Sequence, residues 1–501
     1  MVNATLRRSG ADAGASAASD LPAQAAPATE TSRFLILYPG IYTAHEAEHV
    51  ARFLALNRAI AERGPIDARA LAEGRLPAGT PGVLATVQAS EDWVRYNNGK
   101  YDPENPLRHD AAYARQAGFA DILAFPGLAA HDDGFMLPYP PAARDTLLVS
   151  DLNHAIVSHR PIHPGDRLTP VVDAREMADL TPTEGSTYRT VAIETRGSVW
   201  NQRGEKVNDV VFRVTESIRI YRDPADRPER PGFFDMWESP DWFSRAPHVY
   251  TDADWQRLRA IWAAETRRGA TPRYWEDVAI GERPTTTLDG PVESSVTPSA
   301  PWGMGAGGSR TLKREMLDAA ASAAMVRGAQ DGIWRLADAA AQTPAPPADY
   351  TPPPPPPGQE HGAAIDTRDI HKDGEQRAPL INFLAREFAI RHLDNWMGDA
   401  GWLHEIRWSI MDPRGHARYG KPVPANPKAE HWLQRVPGLE GRFVEEHGLT
   451  QDVAIVNSCV TRKAVRDGAF LVELVLWVEN IEGAIWFEAC ATVRLPSRRA
   501  G

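Results

Sequence analysis

Residues 199–204 read Val-Trp-Asn-Gln-Arg-Gly, and residues 478–483 read Val-Glu-Asn-Ile-Glu-Gly. In each stretch an Asn-x-x-Gly turn separates two segments in which apolar and polar residues alternate, which is typical of a β-hairpin. The Asn and Gly positions of the two stretches are both 279 residues apart. This constant offset predicts two copies of one antiparallel unit, with a chance match of two common hairpins as the alternative.

A helix is predicted upstream of each hairpin. The first begins at the sequence Phe-Pro-Gly-Leu of residues 125–128 and runs to residue 137, with proline in the first turn, where it is tolerated. The second follows Pro379 and has an apolar face at helical spacing, made of Leu380, Phe383, Leu384 and Phe388. The sequence therefore predicts an α+β fold with two fused units, in which curled antiparallel sheets surround central helices.

The second helix also carries charged and polar side chains. Its sequence includes Arg386, Glu387, His392 and Asp394. Pairing with one another and exposure to solvent explain such residues adequately. A divergent active site on this helix is the alternative.

Changes in composition suggest the domain boundaries. Residues 1–32 read as a disordered tail, 33–222 as an N-terminal unit, 223–270 as a connector, and 271–501 as a C-terminal unit. The connector contains one short helix marked by Trp255, Leu258, Ile261 and Trp262. A proline-rich insertion, residues 343–364, interrupts the second unit and reads as a linker.

Composition excludes several classes of protein. The chain has 501 residues with 55 Lys+Arg against 66 Asp+Glu, so its net charge of −11 disfavours nucleic acid as a partner. No apolar run approaches the roughly 18 to 20 residues of a membrane helix. The two cysteines, Cys459 and Cys490, lie in strand-like apolar segments and are expected to be buried, reduced thiols of a cytoplasmic protein.

The densest polar cluster is Tyr-Asp-Pro-Glu-Asn-Pro-Leu-Arg-His-Asp, residues 101–110. Asn105 is a natural N-cap and Pro106 a natural first helical residue, so a short helix is expected to begin there with Asp102 just outside it. Asp102 and His109 would then lie near one helix entrance, a pairing suited to proton transfer. The amide of Gly127, at the start of the first central helix, would stabilise a developing negative charge.

This cluster resembles the MaoC-like branch of the hot-dog superfamily, the R-specific enoyl-CoA hydratases and 3-hydroxyacyl dehydratases. The signature of that family is Asp-x-Asn-Pro-Leu-His-x-Asp. The likeness extends over most of the chain, through Phe-Pro-Gly-Leu at 125–128, Pro-Gly-Asp at 164–166, Tyr-Trp-Glu-Asp-Val at 274–278 and Asn-Trp-Met-Gly-Asp at 395–399. The resemblance is to tandem members and implies two fused hot-dog units.

The departures from the signature fall on its catalytic positions. A gap-free alignment puts Pro103 at the aspartate position and Arg108 at the histidine position, which removes both groups. Inserting one residue on each side of residues 105–107 restores the pair as Asp102 and His109. The second half contains nothing like the signature, so the chain has at most one ordinary pair. Both alignments stay open, and Arg108 and His131 are alternative ligand contacts.

The function follows from the resemblance. It implies a hydro-lyase that hydrates 2-enoyl thioesters or dehydrates 3-hydroxyacyl thioesters of CoA or a carrier protein. Asp102 and His109 would be catalytic, Gly127 would supply the oxyanion contact, and Asn105 would order the loop. A non-catalytic acyl-thioester-binding protein or subunit is the alternative, and an acyl-CoA thioesterase is third. No cofactor, metal, nucleic acid or membrane partner is expected, and a homo-dimer or hetero-oligomer stays open.

Overall fold

The computed structural model describes most of both halves of the chain. The described residues are 55–129, 146–151, 154–179, 188–219, 246–292, 313–323, 325–336, 382–409, 430–446, 448–449 and 451–499. The predicted tail and the proline-rich insertion lie outside them, as does His131.

Thirteen strands and eight helices are assigned within these ranges, and residues 55–63 are also helical. The strands are β1 (Val87–Gln88), β2 (Thr146–Asp151), β3 (His154–Ser158), β4 (Arg167–Asp179), β5 (Tyr188–Trp200), β6 (Lys206–Arg219), β7 (Thr287–Asp289), β8 (Met325–Arg327), β9 (Trp334–Leu336), β10 (Trp402–Ser409), β11 (Ala454–Arg466), β12 (Ala469–Glu479) and β13 (Ile485–Arg494). The helices are α1 (Ala68–Ala72), α2 (Glu91–Tyr101), α3 (Pro106–His109), α4 (Ala111–Gln116), α5 (Asp252–Ala264), α6 (Lys313–Leu317), α7 (Ala319–Ser322) and α8 (Asn382–Met397).

Eleven of the strands form one antiparallel sheet in the order β1-β4-β5-β6-β3-β10-β13-β12-β11-β7, and β2 pairs with β6 beside this path. The order is symmetric about its centre, where β3 pairs with β10. On each side of this pair follow the two strands of a hairpin and then two outer strands. The predicted fold class, α+β with two fused units sharing a continuous antiparallel sheet, is confirmed.

The two hairpin turns that gave the repeat have the same hydrogen bonds. In the first, the Asn201 side chain accepts from the amides of Arg203 and Glu205 at 2.9 and 3.1 Å. In the second, Asn480 Oδ1 accepts from the equivalent amides, those of residues 482 and 484, at 2.9 and 3.0 Å. Both asparagines are almost completely buried. The chance-match alternative is therefore wrong, since the repeat extends to individual atoms.

The second central helix is present as α8. It is buried all round, with Phe388 and Leu393 at 0% exposure, and it packs against β10, β11 and β13. Its charged residues are buried as well, so the expectation of solvent exposure is wrong for Arg386, Glu387 and His392. Because the helix is buried on every side, its charged residues are buried with it and pair internally, as Arg386 does with Glu387.

The start of the first central helix differs from the prediction. Residues 126–129 form a turn and no helix, and the continuation to residue 137 lies outside the described part of the chain. The other face of the second half-sheet is covered by a 3-10 turn, Trp432–Arg435, which packs against the two cysteines. Cys459 and Cys490 are buried and free, as predicted, and burial raises the pKa of Cys490 to about 12. None of the described helices is long and apolar enough to cross a membrane.

Candidate functional site

The helix entrance forms as the sequence predicts. Asn105 caps α3 by accepting from the Leu107 amide at 3.1 Å, and Pro106 is the first helical residue. The other end of the Asn105 side chain donates to Asp102 Oδ2 at 3.0 Å. Asn105 therefore fixes the helix start and the aspartate together.

Asp102 is completely buried, and its carboxylate is surrounded by donors. Arg267 donates to Oδ1, Asn105 donates to Oδ2, and the Arg108 Nε lies 3.8 Å from Oδ2. Such a buried charge is stable only when it is paired and hydrogen-bonded. Each carboxylate oxygen thus has a protein donor, and no part of the side chain reaches solvent.

His109 is half-buried at the end of α3. Its Nε2 forms a 2.9 Å hydrogen bond with the backbone oxygen of Asp102, not with the carboxylate. The structure therefore brings the two residues into contact, but through the main chain. A direct imidazole–carboxylate pair is not formed in this arrangement.

Arg108 connects the two halves of the chain. Its guanidinium is 4% exposed, lies 3.9 Å over the ring of Phe125, and donates from Nη2 to Asp394 Oδ2 at 2.6 Å. Asp394 belongs to α8, 286 residues away in sequence. Two other donors of Arg108, Nε and Nη1, have no hydrogen-bond partner in the described part of the chain.

Among the described residues, hydrogen bonds reach only one carboxylate oxygen of Asp394. Both of its hydrogen bonds, from Arg108 and from Asn105 at 3.5 Å, end on Oδ2, and 11% of the side chain is exposed. Burial raises the pKa of Asp394, while the nearby Arg108 opposes the shift. A carboxyl group of this kind holds a proton more tightly than an exposed aspartate.

Gly127 lies against a second buried arginine. A Cβ atom at this position would come within 2.5 to 2.8 Å of the guanidinium of Arg386, which is itself completely buried and hydrogen-bonded to Glu387. Only glycine permits this approach, because any side chain would occupy the same space. Gly127 thus allows an α8 arginine to reach the turn at residues 126–129.

These polar groups lie at one side of a cleft between the halves. Asn105, Arg108 and Asp394 line it together with a larger set of mostly apolar residues. The apolar residues from the first half are Leu107, Phe119, Leu123, Ala124, Pro126, Pro161 and Ile162, and those from the second are Ile390, Met397, Trp402 and Leu403; Arg160, Asp399 and two glycines complete the lining. Small-molecule sites combine apolar walls with a few convergent polar groups in the same way, but the volume of this cleft, about 60 Å³, holds only the reacting end of a ligand.

Sequence reasoning found Asp102, Asn105, Arg108 and Gly127 but missed Arg267. It explained Asp394 by pairing and exposure, with a divergent active site on its helix as the alternative. Nothing local distinguished Asp394 from a solvated charge, because α8 mixes apolar and charged residues around its axis. No local pattern pointed to Arg267, which follows α5 in the connector. Among the described residues, no group of three His, Cys, Asp or Glu side chains is arranged to hold a metal ion.

Comparison with known proteins gives likeness in structure alone. No protein-family model matches the chain, and no curated protein matches its sequence. A solved MaoC-like dehydratase is similar over 83% of this chain and 97% of its own, with 12% identity and a TM-score of 0.41. A conserved hypothetical protein from Mycobacterium tuberculosis, described as having a double hot-dog fold, is similar over 86% and 98%, with 13% identity and a TM-score of 0.40.

A single-unit protein is also similar. An R-hydratase from Pseudomonas aeruginosa matches 28% of this chain and 85% of its own, with 22% identity and a TM-score of 0.19. The two-unit fold itself rests on the strand order and the paired turns of this chain.

Proposed function

We propose that the chain is a hydro-lyase acting on acyl thioesters of CoA or a carrier protein, with the reacting end of the acyl group in the cleft between the two halves. The observation that carries the proposal is the meeting of apolar walls with the Arg108–Asp394 pair in one cleft. Apolar walls suit an acyl chain, and the pair supplies a proton-transfer group beside a cation.

Asp394 is the proton-transfer group that fits this cleft best. Hydration requires a base to take a proton from water as the water oxygen bonds to the β-carbon, and the electrons of the double bond move to the thioester oxygen. The same carboxyl group then returns the proton to the α-carbon. Oδ1 of Asp394 has no donor from the described residues, and its raised pKa suits both steps.

Arg108 is suited to stabilise the enolate oxygen. Its Nη1 has no hydrogen-bond partner in the described part of the chain, and the guanidinium stays charged when buried. A fixed cation aimed at a developing negative charge contributes strongly to catalysis in a site that excludes water. The predicted pair, Asp102 and His109, stays a prediction that the same assay tests.

A second candidate is binding without catalysis. It is supported by the contacts of Asp102, whose two oxygens already accept from Arg267 and Asn105, and by the His109 hydrogen bond to a backbone oxygen. Neither group is then placed to activate water at the positions the sequence predicted.

The test measures the loss of enoyl absorbance with crotonyl-CoA and with longer or ring-bearing enoyl-CoAs. Asp394→Asn, Asp102→Asn and His109→Ala are compared with an exposed control, Glu91→Gln. We expect Asp394→Asn to lower turnover on the order of a hundredfold or more while the control is unchanged, as for lost acid–base catalysis.

Other outcomes separate the alternatives. Losses in Asp102→Asn and His109→Ala with full activity in Asp394→Asn would return the chemistry to the predicted pair. Calorimetric binding of butyryl-CoA without turnover of any enoyl-CoA would show that the chain binds acyl thioesters but does not catalyse their hydration. Release of free CoA thiol would indicate a thioesterase.

A further inference from the structure

A second cavity lies on a different side of α8 from the cleft. It has a volume of about 380 Å³ and is bordered by the segment after α5, by residues 282–285 and by the last turns of α8. The cleft uses Ile390, Asp394 and Met397 of that helix, whereas this cavity uses His392, Asn395 and Trp396. The two sites are therefore distinct.

Four arginines line this cavity against a single carboxylate. They are Arg267, Arg268, Arg273 and Arg283, and the carboxylate is Glu282. The only histidine in the lining, His392, contributes no charge near neutrality, because burial lowers its pKa to about 3. The cavity wall thus carries a clear excess of positive charge.

Two of the arginines are already neutralised. Arg267 pairs with Asp102, outside the cavity, and Arg273 pairs with Glu282 at 2.8 Å. Arg273 is also held in place, since its Nε donates to the Trp396 oxygen at 2.9 Å and its guanidinium stacks on the Trp396 ring at 4.6 Å. These contacts make one rigid wall of the cavity.

The other two arginines are Arg268, which is half-buried and, after Arg498, helps to lower the pKa of Asp277, and Arg283, which is exposed. No described carboxylate forms an ion pair with Arg268 or Arg283. Arg283 donates once, to the Pro437 oxygen at 2.8 Å, and the Arg268 side chain has no hydrogen bond to a described residue. The charge of Arg268 also opposes that of Arg273, whose pKa is lowered first by burial and then by this neighbour.

Asn395 adds a second, independent observation in this cavity. The residue is 6% exposed, and its side-chain oxygen is buried without a hydrogen-bond partner in the described part of the chain. Its backbone oxygen accepts from the Arg268 amide at 3.0 Å, so this side chain is fixed next to the unpaired arginine. Buried polar groups normally have partners, and this amide oxygen needs a donor, so a ligand that fits here carries a hydroxyl or amino group beside its anionic part.

We propose that this cavity binds a phosphate-bearing ligand, with a diphosphate group as the best fit. Guanidinium groups hold phosphate oxygens through paired, charge-assisted hydrogen bonds, and the excess of arginines over carboxylates in the lining favours a multiply charged anion. The volume lies within the usual range for ligand sites and exceeds what a water needs. This inference does not depend on the proposed hydro-lyase function.

The test is isothermal calorimetry with inorganic pyrophosphate and with ADP, on the native protein and on Arg268→Gln and Arg268→Lys. The control is Arg69→Gln, which alters an exposed arginine of α1. We expect Arg268→Gln to weaken pyrophosphate binding at least tenfold, Arg268→Lys to weaken it less, and the control to leave it unchanged. Melting temperatures show that each variant is folded.

The two probes distinguish the source of the phosphate. Binding of both pyrophosphate and ADP indicates a nucleotide-type ligand, and binding of pyrophosphate alone indicates a free anion. Absence of binding by either probe to the native protein would overturn the proposal. So would equal affinities in the native protein and a folded Arg268→Gln variant.

Discussion

Replacing Arg108 with methionine tests whether the Arg108–Asp394 pair joins the two halves. The substitution keeps most of the side-chain volume but leaves Asp394 without its 2.6 Å partner and removes a positive charge 3.8 Å from Asp102. Removing one partner of a buried pair costs about 3 to 5 kcal/mol, because the other charge stays buried and uncompensated. We expect a loss in that range in the free energy of unfolding at neutral pH.

The loss should depend on pH in a defined direction. Burial already raises the pKa of Asp394, and Arg108 is the group that opposes the shift, so the variant should raise this pKa further. A folded-state pKa above the unfolded value of 3.8 stabilises the protein at low pH, and that stabilisation is lost as pH rises through the folded pKa. Arg108→Met should therefore be more damaging at pH 8 than at pH 5.

Urea unfolding at both pH values measures these changes. The matched control is Arg69→Gln, which removes an exposed ion pair of the same kind, 2.8 Å from Glu73, and should cost no more than about 1 kcal/mol. The double variant Arg108→Met/Asp394→Leu should recover most of the loss, since no charge is left unpaired. A cost for Arg108→Met equal to that of the control, or one independent of pH, would refute the reasoning.

Three further predictions concern stability. Gly127→Ala should cost about 1 to 3 kcal/mol because its Cβ meets a buried guanidinium, whereas Gly99→Ala, in open space within α2, should stabilise by about 0.5 to 1 kcal/mol; thermal melts compare the two. Between pH 6.5 and pH 3 the imidazole of His392 gains a proton in the unfolded state only, so the free energy of unfolding should fall by about 1.4 kcal/mol per pH unit. His392→Gln should reduce this slope, which urea titrations at several pH values measure. Asn201→Ala and Asn480→Ala should each lower the free energy of unfolding by about 1 to 3 kcal/mol, because each leaves two turn amides without an acceptor. The two losses, measured by chemical unfolding, should be similar; a large difference would contradict the equivalence of the turns.

Local chemistry determined those features that the sequence predicted correctly. The two Asn-x-x-Gly turns, the Asn105 cap and the periodicity of α8 each depend on a few neighbouring residues, so they could be predicted from short stretches of sequence. The repeat of the Asn-x-x-Gly hairpin then predicted the two-unit architecture, since it indicated two copies of one antiparallel unit. The burial of both cysteines followed from their apolar strands.

The composition of the site was decided by the tertiary structure. Arg108 pairs with Asp394, 286 residues away in sequence, and Arg267 pairs with Asp102, 165 residues away. Residue spacing along the chain predicts no contacts at such separations. The predicted pairing of Asp102 with His109 rested on their closeness in sequence. Folding instead turned the carboxylate toward two arginines and left the imidazole on the main chain, because a buried carboxylate is stabilised most by the cations that packing brings to it.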